Sequence, residues 1–245
     1  MLERTFVHIQ GIGSRTEKRL WDQGIKTWHH FLASEAPLFS PTRDALVREE
    51  LHTSIRHRGN IHYFGKRLAS GEMWRLFGAF RQGAVYLDIE TSGGYEGVDE
   101  ITVIGLYDGH RTQSFVSGVN LDQFEAAISH YDLVITFNGT TFDLPYIRRE
   151  FPNIFLPPVH IDLRFLLKRL GYRGGLKRIE KALNIDRAPE IDGLSGYHAV
   201  MLWKAFQWGD ESALERLIRY NRADIVNLQP LMEMGYKAMK ESLLA

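Results

Sequence analysis

Five side chains between residues 88 and 224 have the types and settings for phosphate chemistry. Asp88 and Glu90 lie in the run AVYLDIET, Asp143 in TFNGTTFDLPYI, and Tyr220 with Asp224 in YNRADIVNL. Four converging carboxylates repel one another unless a cation lies between them. Hard oxygen donors of this kind suit Mg²⁺ or Mn²⁺. If the five meet at one point, they form a metal-dependent site.

Whether they meet depends on the elements that carry them. AVYLDI is a short apolar run that reads as a buried strand. Asp88 and Glu90 are two apart on it and point to one face, where burial without a partner is costly. Taken alone, the pair is more simply accounted for by a strand end running into the polar stretch Thr91-Ser92-Gly93-Gly94. Asp143 follows the strand-like run DLVITF and an Asn138-Gly139 turn, where a helix starts with Pro145 in its first turn. An acid there also serves free helix amides. Tyr220 and Asp224, four apart on a helical pattern, share a face. The apolar stripe Leu214, Leu217, Ile218, Ile225, Leu228 runs along the same helix.

The remainder of the chain frames these segments. Of 245 residues, 44% are hydrophobic and 24% charged, which is ordinary globular composition. There are no cysteines, which excludes disulfides and thiolate zinc sites. No apolar run is long enough to span a membrane and no signal-like layout opens the chain, so a cytoplasmic protein is expected. The formal net charge is zero, which argues against unselective coating of nucleic acid. Residues 1–83 carry 13 Lys/Arg and 8 Asp/Glu, leaving 17 and 22 for residues 84–245.

Two regions follow from the patterning. Residues 1–83 read as helical, with Ser14 and Glu17 as a capping box, Thr27 as a second cap, and helical spacing over 42–57 and 60–80. From residue 84, strands are expected at AVYLDI, ITVIGLY, TQSFV and DLVITF. A hairpin turn falls at Asp108-Gly109-His110-Arg111. Helices are expected at 121–130, 142–150, 161–170, 176–183, 197–208 and 211–240. A three-strand meander followed by β/α alternation predicts an α/β fold, a mixed sheet flanked by helices. Trp21, Trp28, Trp74, Trp203 and Trp208 lie on helical stretches and are expected in packing. The histidines, His8 among them, are expected to be solvent-facing or partly buried.

In this order and context, LDIET, FNGTTFDLPYIRR and YNRAD resemble the three motifs of the DEDD superfamily of 3′–5′ exonucleases, the ribonuclease-H-like nuclease fold. The middle motif is similar to the proofreading motif of family B DNA polymerases. HIDLRFLLKRLGYRGGLKRIEKALNI is similar to stand-alone bacterial and archaeal exonucleases of the group. The resemblance spans about residues 84–235. Arg219 stands where the histidine variant would need His, so the chain resembles the tyrosine variant. The resemblance implies two divalent ions, Mg²⁺ or Mn²⁺, held by Asp88, Glu90, Asp143 and Asp224. It also implies a water oriented by Tyr220 and release of nucleoside 5′-monophosphates. The implied partner is nucleic acid, DNA ahead of RNA and single-stranded DNA in particular, although no motif reads the 2′-OH. An RNA-directed nuclease, an endonuclease of the same fold or a silent binding module are the alternatives.

Substrate contacts are expected at Thr91, Asn138 and Phe142, the last by stacking on a base or by core packing. The basic stretch 164–187 reads as a largely solvated face, with Lys177 and Arg178 as strand contacts after Gly174-Gly175. Residues of about 6–34 resemble the second half of a helix-hairpin-helix motif, in which Gly11 and Gly13 would admit a phosphate to backbone amides. The helix that usually precedes those glycines is short or missing, and a plain helix-start loop or a protein-docking turn accounts for the glycines equally well.

Overall fold

The apolar run at Ala84 becomes the central strand of a five-stranded sheet. The strands are β1 (Ala84–Thr91), β2 (Ile101–Tyr107), β3 (Thr112–Val116), β4 (Leu133–Thr136) and β5 (Val159–Asp162). They lie in the order β3-β2-β1-β4-β5. The first three pair antiparallel, and β4 and β5 extend the sheet in parallel. The molecule is described by a computed structural model covering residues 1–94 and 98–244. It divides into two compact units, Met1–Arg81 and Gln82–Ala245. The mixed α/β sheet expected from the patterning is present in the second unit.

Alternation along β1 assigns its two faces. Val85, Leu87 and Ile89 pack with Phe124 and Ile128 of α6 (Phe124–Ile128) and Ile147 of α7 (Asp143–Glu150). The even-numbered residues, Asp88 and Glu90 among them, face the other way. On that side Val103 and Val116 of the sheet pack with two helices. α10 (Gly196–Gln207) contributes Ala199, Leu202 and Trp203, and α11 (Glu211–Leu244) contributes Ala213, Leu217 and Tyr220. The shorter α8 (Leu163–Arg169) and α9 (Leu176–Ala182) join the sheet edge to α10.

One close approach fixes α11 on the sheet. Gly105 pairs with Asp88 across the β1–β2 ladder. A Cβ built on Gly105 would lie 2.0 Å from Asn221 Oδ1. The missing side chain lets Asn221, fully buried, reach β1.

The first unit comprises α1 (Ser14–Asp22), α2 (Trp28–Ala33), α3 (Pro41–Arg56), α4 (Ile61–Gly65) and α5 (Phe77–Phe80). Phe6, Trp28, Phe31 and Phe64 are buried among them, and Thr27 caps α2 through His30 N.

Four expectations require correction. Ser14 and Glu17 form no capping box: Gly13 is the N-cap. Glu17 is buried, accepting from Phe6 N at 2.6 Å and pairing with Arg75 at 2.9 Å. A long-range cation outcompetes the local cap. The expected helix over 60–80 is broken into α4, a 3₁₀ segment (Ser70–Leu76) and α5. The helix expected from 161 starts at Leu163, because Val159–Asp162 is strand β5. Four residues containing His160 after two prolines give too short an apolar run to read as a strand. His8 is also fully buried, with Nε2 2.8 Å from Ser54 Oγ.

Gly105→Ala should force α11 off the sheet. Overpacking of this kind costs about 1–3 kcal/mol, a fall in Tm of several degrees for a chain of this size. An unchanged melting curve would contradict the seam described here.

Candidate metal centre

Asp88 and Glu90 project from β1 toward α11, which returns Asp224 to the same point. Carboxylate oxygens of Asp88, Glu90 and Asp224 lie within 4.8 Å of one another. Glu90 and Asp224 are buried and Asp88 is half-buried. Asp143 stands outside that group of three. It opens α7, the helix on the opposite face, and its Oδ1 accepts from Ile89 N at 3.1 Å. It is close enough that its charge acts on Asp88.

Burial and mutual repulsion dominate the electrostatics. Desolvation, then the charge of Asp224, pushes both Asp88 and Glu90 well above the usual carboxylate range. Desolvation lifts Asp143 to about 7. Asp224 is also raised by desolvation, against the opposing pull of Arg187. Glu90 Oε1 is buried and receives no hydrogen bond. Carboxylates gathered out of water, one with an orphaned oxygen, form a donor set that suits a hard divalent cation.

Tyr220 is buried one helical turn before Asp224. Desolvation and the neighbouring carboxylates hold its phenol protonated far above the ordinary range. Lys177 Nζ donates to the Tyr220 hydroxyl at 2.6 Å and also to Leu194 O. Burial lowers the pKa of Lys177. Arg178, by contrast, is exposed, and lines with Gly175 a cleft of about 330 Å³ that reaches Asp88 and Asp224.

Arg187 departs from expectation. Its place in the basic stretch predicts a solvated side chain, yet that side chain is buried, with Nη2 2.7 Å from Glu180 Oε1 and paired with Asp224. The two acids outweigh desolvation and raise its basicity. The shared cation neutralises part of the charge behind the site.

Two positioning residues went unread in the sequence. Asn221 Nδ2 donates to Asp88 Oδ2 at 3.0 Å and to Asp88 O at 3.2 Å; its signal is the place next to Tyr220 on a buried helix face. Asp162, ending β5, accepts from Asn138 N at 2.8 Å, Thr140 N at 3.0 Å and Arg164 N at 3.0 Å. It thus pins the loop in which Asn138 adopts φ 71. Asn138 Oδ1 is committed to Thr141 Oγ1 at 2.8 Å and to Arg164. Phe142, half-buried, packs on Tyr146 with ring centroids 4.8 Å apart. With Thr91 it also lines a second cleft at the acids.

In the first unit, Gly11 takes φ 78 and Gly13 caps α1. Only a three-residue 3₁₀ turn, Leu2–Arg4, precedes them. Gln10 O receives Arg43, and the loop borders an open cleft of about 580 Å³ with His8 and Arg67. Four of the tryptophans are buried or packed as expected. Trp208 is 88% exposed, because it stands past the end of α10 on the face away from Ala199 and Trp203. No helix among the described residues is long and apolar enough to cross a membrane.

A family model of the RNase_H superfamily matches residues 85–236, and the chain belongs to that superfamily. No curated protein matches it. Among solved structures, the family B DNA polymerase of Pyrobaculum calidifontis aligns at 18% identity and TM-score 0.47, over 66% of this chain and 24% of the polymerase. Escherichia coli RNase D, an exoribonuclease, aligns at 18% and 0.47, over 70% of this chain and 45% of its own. Brucella melitensis NrnC aligns at 18% and 0.42, over 69% and 81%. The chain therefore spans less than half of the first two proteins.

The raised acids make metal-free stability pH-dependent. Asp143 titrates near 3.8 when unfolded and near 7 when folded, so the folded state holds a proton the unfolded chain releases between those values. That stabilisation is fully present below about pH 4 and lost as pH rises through about 7. Melting scans in chelator should show Tm falling from pH 5.5 to 8, and Mg²⁺ should restore more at pH 8. A pH-independent response to Mg²⁺ would contradict this. Arg187→Ala strands Glu180 and Asp224 without their cation, which should cost about 3–5 kcal/mol by urea denaturation; a loss under about 1 kcal/mol would count against the buried bridge.

Proposed function

We propose that the chain is a divalent-metal-dependent 3′–5′ exonuclease acting on single-stranded nucleic acid, DNA in preference to RNA. The observation that carries this reading is the convergence of Asp88, Glu90 and Asp224 within 4.8 Å, beside Tyr220 in an open cleft. The DNA preference rests on the likeness of FNGTTFDLPYI to the polymerase proofreading motif.

Asp88, Glu90 and Asp224 would hold Mg²⁺ or Mn²⁺, with Asp143 completing the set for a second ion. Bound there, the ions would offset charge on the reacting phosphate and supply a water nucleophile at neutral pH. The chain's own groups do the rest. Asn221 fixes Asp88. Tyr220 is neutral and accepts from Lys177, so its own O–H remains to orient a water or a phosphate oxygen. It works as a hydrogen-bond donor rather than a base. Water adds to phosphorus, the bond to the 3′ oxygen breaks, that oxygen takes up a proton, and a nucleoside 5′-monophosphate leaves.

Thr91 and Phe142 line the cleft for the terminal nucleotide. With the Asn138 oxygen already accepting two hydrogen bonds, its amide group is left to face sugar or phosphate. Lys177 serves Tyr220 first, and Arg178 is the exposed cation for a phosphate. In the first unit, the backbone amides at Gly11 and Gly13 are the proposed phosphate contact.

Labelled DNA and RNA strands of one sequence, incubated with Mg²⁺ or Mn²⁺, should shorten from the 3′ end, DNA faster. Asp88→Ala and Asp224→Ala should abolish this while leaving the fold intact. Tyr220→Phe should lower kcat roughly 100-fold with metal affinity retained. Cleavage of a circular strand, or full activity in Asp88→Ala, would overturn the assignment.

A further inference from the structure

The outward face of α10 has the wrong chemistry for a solvated helix. Tyr197 is 71% exposed, Met201 46% and Trp208 88%, and Lys204 between them is exposed too. At about 100° per residue these four fall within about 60° of arc, one stripe along the helix. The opposite face, Ala199, Leu202 and Trp203, is spent on the sheet and α11. Exposed apolar side chains in a continuous row mark a binding surface.

Two features say what binds. First, the stripe is continuous with the candidate active site: Tyr197, Met201 and Lys204 line the same cleft of about 560 Å³ as Asp88, Glu90 and Asp224. Second, residues 193–209 contain no Asp or Glu, in a unit that is otherwise net acidic. A polyanion leaving the carboxylates along α10 meets aromatic faces and an ammonium group, and no repelling charge from that helix. Alternating aromatic and cationic side chains are the means by which proteins hold single strands without reading sequence.

We propose that the exposed face of α10 is the track for a single-stranded nucleic acid, holding the nucleotides 5′ of the one in the carboxylate site. This rests on the exonuclease reading above. Tyr197 and Trp208 stack on bases, Met201 fills the apolar surface between them, and Lys204 meets a phosphate. At about 1.5 Å per residue, the stripe from Tyr197 to Trp208 is about 16 Å long. That length takes about four to five nucleotides at the stacked spacing of about 3.4 Å.

The test is fluorescence anisotropy with 5′-labelled oligonucleotides of two, four, six and eight nucleotides, with Ca²⁺ in place of Mg²⁺. Wild-type affinity should climb to about six nucleotides and then level. Tyr197→Ala and Trp208→Ala should each weaken hexamer binding roughly 5- to 100-fold and flatten the climb, while Trp208→Phe retains most of it. Hydrolysis of the same strands by wild type with Mg²⁺ is scored separately. No hydrolysis together with Trp208-dependent hexamer binding would sink the nuclease reading and leave the track standing. Variants that bind the hexamer like wild type would remove the track, whatever the nuclease does. Sedimentation of wild type as a dimer that Trp208→Ala dissolves would also overturn it, by making this face an interface between copies.

Discussion

Carboxylates held together out of water are the constraint on which the second unit is organised. Asp88 and Glu90 cannot leave the site, because the pleat of β1 fixes their face and Val85, Leu87 and Ile89 lock that strand into the opposite core. Asp224 cannot leave it, because Leu217 and Tyr220 bind α11 to the sheet. The hydrophobic effect thus presses like charges toward one another. The surroundings answer this by raising proton affinity and by a buried arginine shared between Asp224 and Glu180. A divalent ion held by these acids would relieve the same repulsion more completely than either.

The backbone seam between β2 and α11 makes that arrangement possible. Gly105 is empty space into which Asn221 fits, and Asn221 then binds both the carbonyl and the carboxylate of Asp88. A packing feature and a site feature are therefore one contact. The same economy appears at β5, where Asp162 starts α8 and also holds the Asn138 loop. Support of this kind sets the site on strands and helix ends.

Most of the second unit was legible in the sequence because its signals are local. The apolar runs of β1, β2 and β4 and the four-residue spacing of Tyr220 and Asp224 survive folding unchanged. What was missed depends on long-range partners. Glu17 reads as a cap until Arg75 is beside it, and Arg187 reads as a surface cation until α9 and α11 enclose it. β5 is too short and too polar to announce itself as a strand. Trp208 has the composition of a core residue, but its phase on α10 puts it on the outside, and phase at the last turn of a helix is sensitive to where that helix ends. Asp143 reaches the acids from the opposite face: it opens α7, yet its carboxylate accepts from Ile89 N on β1 and its charge acts on Asp88.

A divalent ion bound at Asp88, Glu90 and Asp224 would take the place of protons and offset their mutual repulsion. Calorimetric titration of Mn²⁺ at pH 6.5, in two buffers of different ionisation enthalpy, measures the protons displaced by the ion. Saturable binding with net proton release is expected, both lost in Asp224→Asn. Binding that releases no protons, or that survives that substitution undiminished, would contradict this.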